Sequence, residues 1–365
     1  TVNKISLKLK RDIVQTDAYI DCAQWGGLVD NNLHDLDDLH AEGVIGLKAF
    51  MVETGIDDFK RVNDDLLYAG LLRTRKTGNV IGVHAENQWV TRYLTEKLQA
   101  SGRVDLQAWL DSRPPVTELE AINRAIFWAQ ATSGNLHILH TTIASGVEAV
   151  AEARREGVNV TVETCPHYLF FDESDFLRMG PILKMGPPLR SRAEVEKLWD
   201  CVLAGKVDTI GSDHSPSTWA KKECGTENIW KAWGGVSGIQ TLLPVLLTEG
   251  VQKRGLELSQ LVRMISTNPA RIFGLYPKKG SLLPGADADL VIVDIDKKWI
   301  LQADQLFYQN PQSPFIGYEF QGMIEQTFLR GVNIYRNGKI MVEPGFGQVL
   351  CREGAFALPK NYMGS

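Results

Sequence analysis

The sequence predicts a β/α barrel of parallel strands joined to a small β-domain, and three observations predict it. Short apolar runs alternate with longer amphipathic stretches through most of the chain. Each of the last five runs carries Lys, His, Glu or Asp at or near its C-terminal end. After STNPARIFGLYPKKG (266–280) the pattern changes to hairpin-like strands with Gly- and Asn-containing turns.

The runs are DAYIDCAQWGGL (17–28), GVIGLKAFM (43–51), NVIGVHAEN (79–87), NLHILHTT (135–142), VNVTVETCPHY (158–168) and VDTIGSDHSP (207–216). Between them lie helical patterns. In ELEAINRAIFWAQATSG (118–134) apolar residues recur at three and four, and SGVEAVAEARREG (145–157) ends on a glycine suited to a helix C-terminus. Continuous apolar runs separated by amphipathic helices mean parallel strands covered on their outer face. An open doubly wound sheet gives the same alternation. The polar residues at the run ends favour a barrel of the eight-stranded TIM type, because those ends converge on one mouth. We therefore expect a barrel over 1–275, a small β-sandwich segment over 276–345 and a C-terminal tail over 346–365. GSLLPGADADLVIVD and EQTFLRGVNIYRNGKIMV read as the short strands of the small domain, and the tail ending in KNYMGS is expected to fray or to pack on a neighbour.

Composition excludes several classes. Hydrophobic residues at 44% and charged residues at 23% are ordinary for a globular chain, and a formal charge of -5 gives no reason to expect nucleic acid or an anionic membrane as partner. No apolar run approaches a membrane span, and the opening TVNKISLKLKRDIV has no apolar signal core. The five cysteines are scattered without CxxC spacing, which fits a reducing cytoplasm better than a disulfide scaffold.

The chemistry concentrates at the run ends. His84 closes GVHAEN and His140 closes HILHTT. One histidine at a strand end is ordinarily a structural residue. Two of them with GSDHSP at one mouth match the ligand preferences of zinc and its neighbours. Asp213 in that motif suits a metal ligand that also takes a proton, with His214 the next candidate. Lys48, in GLKAF, has two readings. It snorkels to the surface or pairs with an acid, or it is a desolvated amine that adds carbon dioxide and becomes a carbamate. AWGGVSG (232–238) is either a helix-entry turn or a backbone surface for a ligand, and His167 in CPHY either lines a pocket or is structural.

With these residues in view, the chain resembles the cyclic amidohydrolases, the group of dihydropyrimidinases, hydantoinases, allantoinases and dihydroorotases. Lys48, His84, His140 and Asp213 follow that family's order. The resemblance implies a carbamylated Lys48 bridging two divalent metals, usually zinc, with His84 and His140 as ligands and Asp213 as both ligand and general base. WGGLV, VETCPHYLFF, GPPLR and AWGGVSGIQTLLPVLLTEG are most similar to the allantoinase branch. That implies hydrolysis of allantoin to allantoate, with backbone groups around Met185, Gly186 and Gly235 contacting the ring. It also implies a homotetramer, by family habit alone. A hydantoinase or dihydropyrimidinase is the near alternative, and a scaffold with a degenerate metal site the distant one.

One family feature is absent. The sequence has no HxH pair, and His34 and His40, in DNNLHDLDDLHAEG, read as surface residues of a helix. The first two barrel strands, with that pair, are expected to lie upstream of Thr1. The chain as it stands is then expected to hold at most one metal well, to be poorly soluble or to oligomerise, and to hydrolyse allantoin weakly or not at all.

Overall fold

The computed structural model describes residues 1–359. Helix α1 (Lys4–Asp17) opens the chain behind an Asn3 cap whose side chain accepts from the Ser6 amide. Strand β1 (Cys22–Ala23), strand β2 (Gly26–Gly27), helix α2 (Leu36–Ala41), strand β3 (Leu47–Phe50), helix α3 (Asp64–Thr77) and strand β4 (Ile81–His84) follow. Then come helices α4 (Gln88–Ala100), α5 (Leu106–Asp111) and α6 (Pro115–Thr132), strand β5 (Leu136–Ile138), helix α7 (Ala144–Arg155) and strand β6 (Val160–Thr164). Helices α8 (Pro166–Phe170), α9 (Glu173–Met179) and α10 (Arg192–Leu203), strand β7 (Thr209–Ile210) and helix α11 (Trp219–Glu223) complete the alternating part.

Strands β2 to β7 form one six-stranded parallel sheet in sequence order, β2-β3-β4-β5-β6-β7. Each expected run thus supplies a strand of this sheet. Register is set by apolar residues buried under the helices: Leu47 lies opposite Ile81, and Ile81 opposite Leu136. These side chains are at most 1% exposed and join one core with Leu71, Ile122 and Val147 from α3, α6 and α7. Burying each such side chain contributes roughly 1.5–3 kcal/mol. The helix stops follow chemistry legible in the chain. Gly78 closes α3 at φ 68, and Gly157 turns the chain after α7 at φ 89.

Beyond 280 lies a four-stranded sheet of β8 (Leu290–Ile300), β9 (Glu319–Leu329), β10 (Val332–Arg336) and β11 (Lys339–Ile340), in the order β11-β10-β9-β8. Its two long strands correct the expectation of short ones, since β8 and β9 each run 11 residues. They pair across a bulge and a register jump that absorb the turn-like DIDKK stretch. The hairpins β9–β10 and β10–β11 turn at Arg330-Gly331 and Asn337-Gly338, all four residues at positive φ, as tight hairpins require. Much of β8 presents apolar side chains to solvent, including Val291 and Ile292.

Over its described part the tail packs on the body of the chain. Strand β12 (Val349–Leu350) pairs with β1, and Arg352 donates to the carbonyl oxygens of Ile45 and Gly78. KNYMGS lies outside the described residues. Among those described, no helix is long and apolar enough to cross a membrane. His34 is exposed, whereas His40 is half-buried, lowered in pKa by burial and by Arg352.

Candidate metal centre and substrate pocket

Parallel pairing brings the run ends together. Phe50 at the end of β3 lies opposite His84 at the end of β4, and the Met51 amide donates to the His84 carbonyl at 3.0 Å. His140 stands two residues beyond β5 at φ 40, held by Leu139 N–H donating to Val83 O (3.1 Å) and Thr141 N–H donating to Glu163 O (2.7 Å). The left-handed backbone is a cost that the two flanking hydrogen bonds hold in place.

Three of the expected residues meet here. Lys48 Nζ lies 3.1 Å from His140 Nε2, and the His84 and His140 rings are 4.7 Å apart edge to face. Burial pushes Lys48 from 10.5 down to about 8, and the charges of Asp213 and Glu163 only partly offset it. Burial, then the adjoining Lys48 charge, holds His140 well below its ordinary value, and burial also lowers His84. Both rings are therefore neutral at pH 7, the form in which imidazole binds a metal.

Asp213 sits past β7 at φ 41 with its side chain exposed, and its charge reaches Lys48 and His167. His214, the other candidate in that motif, accepts from Gly238 N–H at 3.1 Å through Nδ1 and packs its ring, tilted, against that of Tyr308. It shapes the loop. His167 is buried on α8, held at about 4 by burial, with Nε2 lacking a hydrogen-bond partner.

Glu86 is a site residue that spacing alone did not single out. Its Oε2 lies 2.6 Å from His84 Nε2 and 2.8 Å from the Arg113 guanidinium. Burial works to raise its carboxyl, yet Arg113 and His84 prevail and hold it at about 2. The only sequence signal was an acid two places after the histidine in GVHAEN. Gly186 meets the same corner. A methyl group added there would lie 3.6 Å from Glu86 Oε2 and 3.9 Å from His84 Cε1. Met185 is buried, and its carbonyl accepts from Trp109 Nε1 at 2.9 Å. Gly235, at φ 102, donates its N–H to Lys184 O at 3.0 Å, so the three expected pocket residues lie on two neighbouring segments.

Among the described residues, no group of three or more His, Cys, Asp or Glu side chains is arranged to hold a metal. The donors present still suit one. His140 Nδ1 is buried with no partner, its Nε2 faces the amine of Lys48, and a carbamate on that amine would add two anionic oxygens. His84 would join by exchanging its contact with Glu86.

The parallel sheet, with its polar residues gathered beyond the strand ends, defines a barrel-type enzyme with a nitrogen-rich mouth. The chain belongs to the amidohydrolase family, whose model matches residues 38–340. It is 44% identical over 335 residues to the allantoinase of Deinococcus radiodurans, covering 92% of this chain and 74% of that one. With the allantoinase of Solibacter usitatus identity is 41% over 350 residues, covering 96% and 76%. Among solved structures, the L-hydantoinase (dihydropyrimidinase) of Arthrobacter aurescens superposes with a TM-score of 0.94 at 36% identity, over 96% of this chain and 78% of that one. The dihydropyrimidinase of Brevibacillus agri gives 0.90 at 31%, over 98% and 79%.

Proposed function

We propose that the protein is an allantoinase, opening the allantoin ring by hydrolysis of its cyclic amide to give allantoate. The observation that carries the chemistry is the convergence of Lys48, His84 and His140, with both imidazoles neutral. The substrate follows the names of the relatives at 38–44% identity. Lys48 as its carbamate, His84, His140 and Asp213 would hold a divalent metal, zinc by donor type, with two ions per subunit in a complete site. Bound there, the metal supplies a Lewis acid and makes water acidic enough to ionise near pH 7. Asp213 takes the proton of the attacking water and passes it to the departing ring nitrogen. Met185, Gly186 and Gly235 present backbone groups to the ring.

The same reading takes 1–275 as the barrel, 276–345 as a β-sandwich segment and 346–365 as a tail. Support comes from the change of sheet after 280 and from the apolar side chains that β8 leaves exposed, which suit a second sheet. An eight-stranded barrel needs two strands more than the six of the parallel sheet, with their ligands, between β7 and β2. A homotetramer in the reducing cytoplasm completes the proposal, the latter from five free cysteines.

Hydantoinase or dihydropyrimidinase activity is the second reading, favoured by the 0.94 superposition. Parallel assays with allantoin, hydantoin and dihydrouracil, with zinc content measured, decide between them. Allantoin should give the highest kcat/KM. A preference for either other ring transfers the assignment, and no zinc after growth in zinc leaves a scaffold.

A further inference from the structure

Two lysines outside the metal cluster are buried with no carboxylate partner among the described residues. Lys184 is 4% exposed and Lys222 2% exposed. A buried ammonium is costly without a counter-ion. Burial pushes Lys222 down to about 7, with the neighbouring Lys184 adding to the fall, and burial with Arg113 brings Lys184 to about 8. Leucine or methionine would fill the same space without that cost, so the amines themselves need an explanation.

Their hydrogen bonds supply one. Lys222 Nζ, from α11, donates to the carbonyl oxygens of Lys184 (3.0 Å) and Gly235. Lys184 Nζ reaches the other way and donates to those of Ala232 (2.6 Å) and Trp230 (3.3 Å). Gly235 N–H closes the bridge onto Lys184 O. The Lys184 amine also lies 4.4 Å from the Trp109 ring centroid, and Trp109 anchors the Met185 carbonyl. On the far side, Ser215 N–H donates to Val236 O at 2.9 Å, two residues past Asp213. In a trans peptide the carbonyl and the following N–H point to opposite sides. Anchoring Lys184 O therefore fixes the direction of Met185 N–H.

We propose that Lys184 and Lys222 are positioning residues for the cyclic ureide, which clasp the Met185–Gly186 segment to the Gly235 segment and so set the affinity of the pocket. The proposal rests on the reading of Met185, Gly186 and Gly235 as groups that contact the ring. Neither lysine touches the reacting atoms.

The test compares the zinc-loaded protein with Lys222→Met and Lys222→Gln. Lys222→Met should raise KM for allantoin tenfold or more while kcat changes less than threefold, and zinc content should stay the same. Lys222→Gln, whose amide still donates two hydrogens, should recover most of that loss. In the metal-free protein, hydrogen exchange over residues 232–238 should quicken at least tenfold in Lys222→Met. Unchanged exchange overturns the clasp and leaves the ring-contact reading standing. Faster exchange with an unchanged KM overturns both, because the loosened segments then do not hold substrate. Loss of the folded state in both variants also overturns the proposal, since the lysine then serves stability alone.

Discussion

Replacing Lys48 by methionine should stabilise the metal-free protein while abolishing hydrolysis. Lys48 lies on β3 between Leu47 and Ala49, both at most 1% exposed, with its amine against the neutral His140 ring. Burial dominates and lowers its pKa from 10.5 to about 8. At about 1.36 kcal/mol per pKa unit, holding the ammonium folded at pH 7 costs about 3 kcal/mol. Methionine has nearly the same shape and no charge, so it returns that amount, a rise of about 4 °C in Tm for a chain of this length. The pH dependence fixes the sign. Between pH 8 and 10.5 the unfolded chain keeps a proton on this lysine that the folded protein has shed, so the stability of the parent protein rises through that window. The advantage of Lys48→Met should therefore shrink toward zero near pH 10.5. Calorimetric melts of chelator-treated, carbonate-free proteins at pH 7 and pH 10 measure both. A variant that melts below the parent at pH 7, or a gap that does not narrow, refutes the reasoning. Adding zinc and bicarbonate should reverse the order, because only lysine can form the carbamate that the metal stabilises.

Three further outcomes follow from other contacts. Glu118 accepts from Thr142 N–H at 2.7 Å and from the Arg190 guanidinium at 2.9 Å, so Glu118→Ala leaves Arg190 buried without its partner. Urea denaturation should show a loss of about 3–5 kcal/mol, with part of it regained when Arg190→Met is added. Burial opposes ionisation of Asp21, but Arg330 and Lys279 prevail and lower its pKa, so its contribution is complete above about pH 4 and is lost as pH falls through the folded value. Asp21→Asn should flatten the acid limb of the Tm-against-pH curve and leave pH 7 to 9 with a uniformly lower Tm. Gly186→Ala has room for its methyl group, which lands beside Glu86 and His84. Its Tm should shift by less than about 1 °C while KM for allantoin rises at least fivefold, and an unchanged KM removes Gly186 from the pocket.

What the sequence made legible divides along physical lines. Strands β3 to β6 could be read because residues such as Leu47, Ile81, Leu136 and Val160 are buried beneath helices, and burial leaves an unbroken apolar run. Lys48, His84 and His140 stood out as polar interruptions at the ends of those runs. Glu86, Lys184 and Lys222 did not, because each looks like an ordinary surface charge along the chain. Only folding gives them buried partners: Arg113 for Glu86, and backbone carbonyls far along the chain for the lysines. The length of β8 was hidden for a related reason. Its exposed pattern over Leu290–Ile300 has neither the alternation of a half-buried strand nor the continuity of a buried one.

These missed residues share a feature that bears on how the site is built. Beyond the paired ends of β4 and β5, the stretches that carry Glu86 and Thr142 and the segment after α9 lie outside the strands, so strand pairing does not fix them relative to one another. Buried charges do it instead. Arg113 ties Glu86, and through it His84, to the loop before α6, and its carbonyl accepts from Arg190 at 2.6 Å. Arg190 in turn joins Glu118 to Thr142, two residues past His140. Lys184 and Lys222 continue the chain of contacts from that segment to Gly235 and the loop of Asp213. Each group is costly to bury, and each has its charge or its donors met only when the loops stand in one arrangement. The apolar core under the helices tolerates changes of loop position that this network does not. Substitutions in the network should therefore disturb the geometry of the mouth more than their loss of stability suggests, and substitutions in the core should do the reverse.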